Sequence, residues 1–257
     1  MTYLQFHLTF VLPPIAALLL VVLSRRPTAG TGGLKPWAML GLIMGIAFLY
    51  TTPWDNYLVY REVWTYPPGA VLATIGYVPV EEYAFFLLQP VLTGLFLFVL
   101  MRTGAFSARY AENESASRRA GAAFWGLVAV AGVAMLLAGG HGLYAGLILS
   151  WAPPVIAALW GLGGHTVWAW RRLYAVAVAI PTLYLWYADR TAIGLGIWDI
   201  TDATRTGVEP FGLPIEEAAF FLLTNVLVVH GLIMLLLTRP GERLPFLGAS
   251  APPPHDR

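Results

Sequence analysis

This chain of 257 residues is 58% hydrophobic and only 11% charged, whereas soluble domains carry about 25% charged residues, so its composition excludes a soluble globular protein. It has no cysteine, which excludes disulfides, thiolate nucleophiles, iron–sulfur clusters and cysteine zinc sites. The formal net charge of +1 indicates no partner, because in membrane proteins the placement of Lys and Arg in loops carries the information.

Seven stretches of the chain are long and apolar enough to cross about 30 Å of hydrocarbon as helices. In chain order they are 3–23, 37–52, 80–101, 120–138, 142–160, 169–187 and 214–237. The N-terminus lacks the basic start of a cleaved signal peptide, so the first stretch is expected to stay in place. The predicted fold class is therefore an all-α integral membrane protein with seven transmembrane helices.

Positive charges sort to one side of these seven stretches. With an outside N-terminus, twelve Lys and Arg residues fall on the inner side: Arg25, Arg26, Lys35, Arg102, Arg109, Arg118, Arg119, Arg171, Arg172, Arg239, Arg243 and Arg257. The outer side holds three: Arg61, Arg190 and Arg205. Because Lys and Arg concentrate in cytoplasmic loops, the chain is predicted to be a multi-pass protein of the cell membrane with a cytoplasmic C-terminus. Ten of the fourteen acids lie toward the outer side, where chemistry is expected.

An internal repeat relates the two halves of the chain. PVEEYAFFLL at 79–88 returns as PIEEAAFFLL at 214–223, an offset of 135 residues. A weaker likeness joins LPPIAAL, 12–18, to APPVIAAL, 152–159, at an offset near 140. In both halves an aspartate and, nine positions later, a tryptophan precede the acidic string; these residues are Asp55, Trp64, Asp189 and Trp198. The repeat therefore predicts that each half of the chain contains a unit of three membrane spans.

Three-span units joined directly would lie in opposite orientations, and the remaining span prevents this. We predict a first three-helix repeat at 1–104, an inner loop and spacer helix at 105–140, a second three-helix repeat at 141–239 and a disordered inner tail at 240–257. The hydrophilic stretch 107–119 is predicted to be a solvated loop. Because the spacer restores the orientation, the repeats run parallel, related by an axis along the membrane normal.

Two pairs of adjacent glutamates, Glu81–Glu82 and Glu216–Glu217, open the third span of each repeat. Acids that follow a proline in the first turn of a helix interact favourably with the positive end of the helix dipole. For a single glutamate pair, this capping role is as good an explanation as a functional site. Two copies favour a site, because ionisable residues within membrane spans normally face the bundle interior. Adjacent buried carboxyls can divide into a proton donor and a base.

Helical spacing places an aromatic ring and an amide on the face of the acids. One such face carries Glu81, Phe85 and Gln89, and another carries Glu217, Phe221 and Asn225. The surrounding outer half holds further aromatic residues: Trp54, Tyr57, Tyr60, Trp64, Tyr66, Tyr77, Tyr83, Trp186, Tyr187, Trp198 and Phe211. Interfacial belts explain about half of these. The others suit a carbocation, which aromatic faces stabilise without supplying a nucleophile, so the pattern is suited to protonating an alkene.

The doubled Asp…Trp…Pro-x-Glu-Glu-x-x-Phe-Phe pattern resembles the membrane-integral lycopene cyclases of carotenoid biosynthesis, over nearly all of residues 1–240. The resemblance implies cyclisation of the ψ ends of lycopene to β-ionone rings, giving γ-carotene and then β-carotene. It implies an isomerisation without cofactor or metal. A carboxylic acid protonates the terminal alkene, another double bond attacks the tertiary cation, and a base removes a proton.

The resemblance also implies roles for residues that match the motif. It places Glu81, Glu82, Glu216 and Glu217 at the catalytic site, with Asp55 and Asp189 as orienters or second acids. The substrate-binding residues are Phe85, Phe86, Phe220, Phe221, Trp64, Trp198, Gln89 and Asn225. Because Ala218 stands where the first half has Tyr83, the halves are expected to be unequal, with one acid pair catalytic and the other structural.

Three alternatives remain open on the sequence. Relatives of the family act on C50 carotenoids or make ε or γ rings, which depends on fine placement of the leaving proton. A membrane prenyltransferase would need paired aspartate-rich motifs, and DITD at 199–202 stands alone. A proton-coupled transporter also uses intramembrane acids. Expected partners are lycopene or a related carotenoid and membrane lipid, with other carotenoid-pathway enzymes or a second copy as further candidates, and no nucleic acid.

Overall fold

The computed structural model describes residues 1–24 and 36–239, and these form seven long helices. They are α1 (Tyr3–Ser24), α2 (Pro36–Tyr60), α3 (Val80–Arg102), α4 (Glu114–Ala138), α5 (Leu143–Ala169), α6 (Arg171–Gly194) and α7 (Ile215–Leu237). Within the described chain, six helices, all except α6, are long and apolar enough to cross a membrane. The protein is a membrane protein. The tail at 240–257 and the inner-side Arg25, Arg26, Lys35, Arg243 and Arg257 lie outside the described residues.

Two helices run beyond their predicted apolar stretches. Helix α2 continues through Pro53 to Tyr60, so Asp55 lies inside the helix and is buried. Helix α4 begins at Glu114, where the Asn113 side chain accepts a hydrogen bond from the backbone N–H of Ala116 at 2.8 Å. The loop interpretation of 107–119 was therefore wrong from Glu114 onward, because a capped helix start tolerates the charged residues that lower hydropathy.

Four two-residue strands at the acidic end of the bundle add to the expected all-α architecture. Strand β1 (Trp64–Thr65) pairs antiparallel with β4 (Asp199–Ile200), and β2 (Thr74–Ile75) pairs antiparallel with β3 (Val78–Pro79). In the first pair Trp64 lies opposite Ile200. The loop after α2 is thus joined to the loop after α6.

Helices α3 and α7 form the centre of the bundle. Helix α3 packs on α1, α2, α6 and α7, while α7 packs on α2, α3, α5 and α6. Helix α4 lies at the periphery, chiefly against α5. Both central helices begin directly after a proline, Pro79 or Pro214, and carry their glutamate pair in the first turn. The fold therefore brings the four glutamates to one end of the core.

Candidate active site

One glutamate of each pair fastens a loop. Glu81 Oε1 accepts a hydrogen bond from the backbone N–H of Leu72 at 2.8 Å. In the same way, Glu216 Oε1 accepts one from the backbone N–H of Thr206 at 2.6 Å. These bonds hold the segments that lead into α3 and α7. The other glutamate of each pair lines a cavity.

Glu82 is held by two phenols. The Tyr3 hydroxyl donates a hydrogen bond to Oε2 of Glu82, and the Tyr66 hydroxyl donates a longer one of 3.3 Å to the same oxygen. Tyr66 lies in the loop after β1, where burial and the nearby Glu82 raise the pKa of the Tyr66 phenol well above its ordinary value. Tyr66 therefore keeps its proton at neutral pH and remains a hydrogen-bond donor.

Glu217 is held by a phenol and an indole from different halves of the chain. Its Oε1 accepts from the Tyr144 hydroxyl at 2.6 Å and from the Trp64 indole N–H at 2.9 Å. The same indole lies 3.0 Å from the Tyr144 hydroxyl. Strand pairing between β1 and β4 explains this reach, because it carries Trp64 across to the second half of the molecule.

The second carboxyl oxygen of Glu82 and of Glu217 accepts no hydrogen bond from any residue of 1–24 or 36–239. Both carboxyls line one small cavity, which we call the acid cavity. A carboxylic acid that accepts two hydrogen bonds on its carbonyl oxygen carries its proton on the other oxygen. Each of these glutamates can therefore present an O–H group to the acid cavity.

Two buried aspartates accompany the glutamates. Asp189 lines the acid cavity, and its Oδ1 accepts a hydrogen bond from the Trp198 indole N–H at 3.1 Å. Asp55 is 0% exposed, and neither of its carboxyl oxygens has a hydrogen-bond partner within the described ranges. Because a buried polar group without a partner is costly, such an arrangement is typical of functional sites.

Aromatic rings form the rest of the acid-cavity wall. The Phe220 ring packs edge-on against Trp64 at 5.6 Å and against Phe221 at 5.2 Å between centroids. The Trp198 ring lies 4.8 Å from Tyr3. The aromatic lining residues are Tyr3, Phe6, Trp64, Tyr66, Phe85, Trp198, Phe220 and Phe221. Such a wall can stabilise a cation and offers no strong nucleophile to trap it.

A second, larger cavity lies between α2, α3, α5 and α7, and we call it the apolar cavity. Phe85 and Phe220 line both this cavity and the acid cavity. Its other lining residues are Ile43, Ile46, Ala47, Tyr50, Thr51, Phe86, Gln89, Trp151, Val155, Leu159, Thr224, Leu227, Val228 and Gly231. The two cavities are therefore neighbours across a pair of phenyl rings.

Comparison with known proteins identifies the family. The lycopene beta-cyclase of Halobacterium salinarum is 40% identical over 235 residues, which cover 91% of this chain and 95% of that protein. The chain belongs to the lycopene beta-cyclase family. Bifunctional lycopene cyclase/phytoene synthases of Gibberella fujikuroi and Phycomyces blakesleeanus are 37% and 34% identical over 90% and 89% of the chain, which spans 39% and 38% of their lengths. No family model matches the sequence, and no solved structure matches it.

As a member of the lycopene beta-cyclase family, the chain is an enzyme. Its predicted site residues fall into three groups according to the cavity that they line. Eight line the acid cavity: Glu82, Glu217, Asp189, Phe85, Phe220, Phe221, Trp64 and Trp198. Two more line only the apolar cavity: Phe86 and Gln89. Four line neither: Glu81, Glu216, Asp55 and Asn225.

The two predicted amides of this cyclase family member bind each other. The Gln89 Nε2 donates to Asn225 Oδ1 at 2.7 Å, and the Thr93 hydroxyl donates to the same oxygen at 2.5 Å. Asn225 in turn donates from Nδ2 to the Thr182 hydroxyl at 3.0 Å. This network joins α3, α6 and α7 across the core, and Gln89 also borders the apolar cavity.

Sequence reasoning missed three residues of the acid cavity and its hydrogen bonds: Tyr3, Phe6 and Tyr144. A signal for two of them was present, because Tyr3 and Tyr144 lie 141 residues apart, close to the offset of the repeated Pro-Pro stretches. Of the outer-half aromatic residues predicted from the sequence, five are exposed in this lycopene beta-cyclase family member, as expected for an interfacial belt: Tyr57, Tyr60, Tyr77, Tyr187 and Phe211.

Proposed function

We propose that this chain is a lycopene beta-cyclase that closes the ψ ends of lycopene to β-ionone rings by acid catalysis. One observation carries the proposal: Glu82 and Glu217 each have one oxygen held by two donors and line an aromatic cavity. The similarity to the Halobacterium salinarum lycopene beta-cyclase supports the choice of substrate.

The reaction proceeds in three steps without net consumption of a proton. A glutamic acid O–H protonates the terminal alkene, which leaves a tertiary carbocation. A double bond further along the polyene attacks this cation and closes the ring, moving the positive charge into the ring. A carboxylate then removes a ring proton to form the ring alkene, so the substrate and product are isomers and the enzyme is an isomerase or intramolecular lyase. General acid and base groups contribute about 10²–10⁴-fold each to such proton transfers.

The aromatic wall protects the cation during these steps. Phe85, Phe220 and Phe221 line the acid cavity together with the glutamates, and Trp64 and Trp198 line it as well. Aromatic faces stabilise a nearby cation by about 0.5–2 kcal/mol each. Since the rings also exclude water, the carbocation is expected to lose a proton rather than gain a hydroxyl group.

We further propose seven spans built from two parallel three-helix repeats, with α4 as the spacer and the N-terminus outside. Matching contacts support the repeats: the Tyr50 hydroxyl donates to the Trp151 carbonyl at 3.0 Å, and the Tyr184 hydroxyl donates to the Phe10 carbonyl at 2.7 Å. The paired glutamate contacts support them as well. For α6, the charged residues lie near its two ends, which suits a span: Arg171, Arg172, Asp189 and Arg190.

Expression in a bacterial host that accumulates lycopene tests the function, with the host lacking the chain as the control. Chromatography of the extracted pigments is expected to show β-carotene in place of lycopene. γ-Carotene alone would mean that one end is processed, and ε or γ rings would change the assigned product. Unchanged lycopene, with the protein present in the membrane, would reject the proposal in favour of a C50 carotenoid cyclase, a prenyltransferase or a proton-coupled transporter.

A further inference from the structure

The acid cavity is too small for a whole linear polyene. It is the smaller of the two cavities, and its wall includes the acids Glu82, Asp189 and Glu217. Cyclisation involves one end group at a time, and that end group must reach a glutamate. The remaining apolar chain of the substrate therefore needs another place in or beside the protein. This step rests on the proposed function.

The apolar cavity has the position and surface that such a chain requires. It is the larger of the two cavities, and Phe85 and Phe220 separate it from the acid cavity while lining both. Aliphatic and aromatic side chains make up most of its wall. Its main polar amide, Gln89, is engaged with Asn225 rather than free to bind a polar ligand. A hydrocarbon is the ligand class that fits this lining.

The apolar cavity also reaches the outer surface of the bundle, between α2 and α5. Two of its lining residues on α2, Ile46 and Tyr50, are 53% and 41% exposed. Side chains bridge the two helices above this opening: the Tyr50 ring stacks on Trp151 at 5.5 Å, and the Trp54 ring stacks on Trp151 at 4.5 Å. In a membrane, this surface faces lipid.

We propose that the linear polyene chain occupies the apolar cavity while its end group lies in the acid cavity, and that the substrate enters sideways from the bilayer between α2 and α5. The Phe85 and Phe220 rings then contact the polyene where it passes from one cavity to the other. A substrate dissolved in the hydrocarbon core reaches the glutamates without crossing water.

A side chain that fills part of the apolar cavity tests the proposal. In Ala47→Trp, an indole fills space at the cavity wall, whereas Leu49→Trp places the same indole on the lipid-facing side of α2, where Leu49 is 74% exposed and lines neither cavity. We expect Ala47→Trp to lower the initial rate of lycopene conversion by about tenfold or more, and Leu49→Trp to stay within about twofold of the parent. Both variants should accumulate in the membrane at the parent level.

A shortened acyclic polyene with one intact end group distinguishes a partly filled apolar cavity from a damaged catalytic site. It needs less of the apolar cavity, so Ala47→Trp should convert it at close to the parent rate. Equal loss with both substrates, or full activity of Ala47→Trp with lycopene, would overturn the proposal.

Binding provides a readout that does not depend on turnover. Lycopene retained by the purified protein is measured from its visible absorption, and Ala47→Trp should retain much less than the parent or Leu49→Trp. If the parent binds lycopene without converting it and Ala47→Trp does not bind it, the cavity assignment stands while the proposed reaction fails. Equal retention by all three proteins would contradict the cavity assignment.

Discussion

Adjacent glutamates make different contacts here because neighbouring residues on a helix point about 100° apart. Glu81 and Glu216 turn toward backbone N–H groups of loops, and Glu82 and Glu217 turn toward the acid cavity. The sequence favoured two unequal halves, with one pair catalytic and the other structural. We propose instead that the division runs within each pair, so that each half contributes one acid to the chemistry and one to loop anchoring.

The same substitution at two adjacent positions tests this division. Glu82→Gln removes the acidic proton from the acid cavity and should lower the rate of lycopene conversion by about 10²-fold or more. Glu81→Gln keeps an amide oxygen that can accept the Leu72 N–H, so the rate should remain within about threefold of the parent. Initial rates from pigment chromatography, normalised to the protein in the membrane, decide between them.

Glu81→Ala completes the comparison. This change leaves the Leu72 N–H without its acceptor, and we expect a loss of about 1–3 kcal/mol in the free energy of unfolding. Equal loss of activity in Glu81→Gln and Glu82→Gln would show that both members of the pair take part in the chemistry.

Residue types at the acid cavity were more predictable than their contacts. The repeated string pointed to the glutamates and phenylalanines, because an acid doublet in an apolar span is rare enough to be noticed. The donors were harder to find, since Tyr3, Tyr144 and Trp64 are 79, 73 and 153 residues from the carboxyls they hold. Contacts at such separations follow from how helices pack, which one sequence does not display.

Among the elements, hydropathy located the helices and misplaced their ends. An apolar stretch indicates only which residues contact lipid or the core. A helix can continue beyond that stretch where its polar residues are buried or hydrogen-bonded. Asp55 and Asn56 stopped the predicted stretch of α2, although Asp55 is fully buried and Asn56 donates to the Tyr83 hydroxyl at 2.9 Å. The two-residue strands were missed because they carry no periodic signal.

Helix α4 packs closely on α5 at Gly132. Alanine substitutions at two glycines of α4 are therefore expected to differ in their effect on the free energy of unfolding. A Cβ at Gly132 would lie 2.4 Å from the backbone carbonyl carbon of Leu149, whereas a Cβ at Gly126 would meet nothing within 4 Å. Gly132→Ala should therefore lower the free energy of unfolding by about 1–3 kcal/mol through overpacking. Gly126→Ala should leave it unchanged or raise it by up to about 1 kcal/mol, because alanine favours the helix.

Thermal unfolding of the purified protein in detergent measures both glycine variants. Because α4 contacts neither cavity, Gly132→Ala should lower the melting temperature without changing the ring type of the product. An equal melting temperature for the two variants would show that α4 is not held by close backbone contact with α5.

Across the whole molecule, the absence of cysteine makes the proposed topology directly measurable. Ala203 is exposed in the loop after β4, and Ser107 is exposed between α3 and α4. Three helices, α4, α5 and α6, separate the two positions. With seven spans and an outside N-terminus, a membrane-impermeant maleimide should label Ala203→Cys in intact spheroplasts and Ser107→Cys only after lysis.

Other labelling patterns would each correct one part of the topology. The reverse pattern would invert the orientation deduced from the positive charges. If both positions are labelled in intact spheroplasts, or both are protected there, one of the helices α4, α5 and α6 does not cross the membrane. Permeable maleimide on lysed membranes shows that both cysteines are reactive and serves as the control.

The hydrogen bond from Trp64 to Glu217 joins residues that are synthesised at different times. Trp64 leaves the ribosome early, but the carboxyl that it holds arrives only with the final helix. Glu82 and its two phenols come from the first part of the chain, whereas Phe220 and Phe221 of the cavity wall come from the last. During synthesis, the chain therefore contains Glu82 before the aromatic wall that would stabilise a carbocation is complete. The wall is complete only when helix α7 has inserted into the membrane.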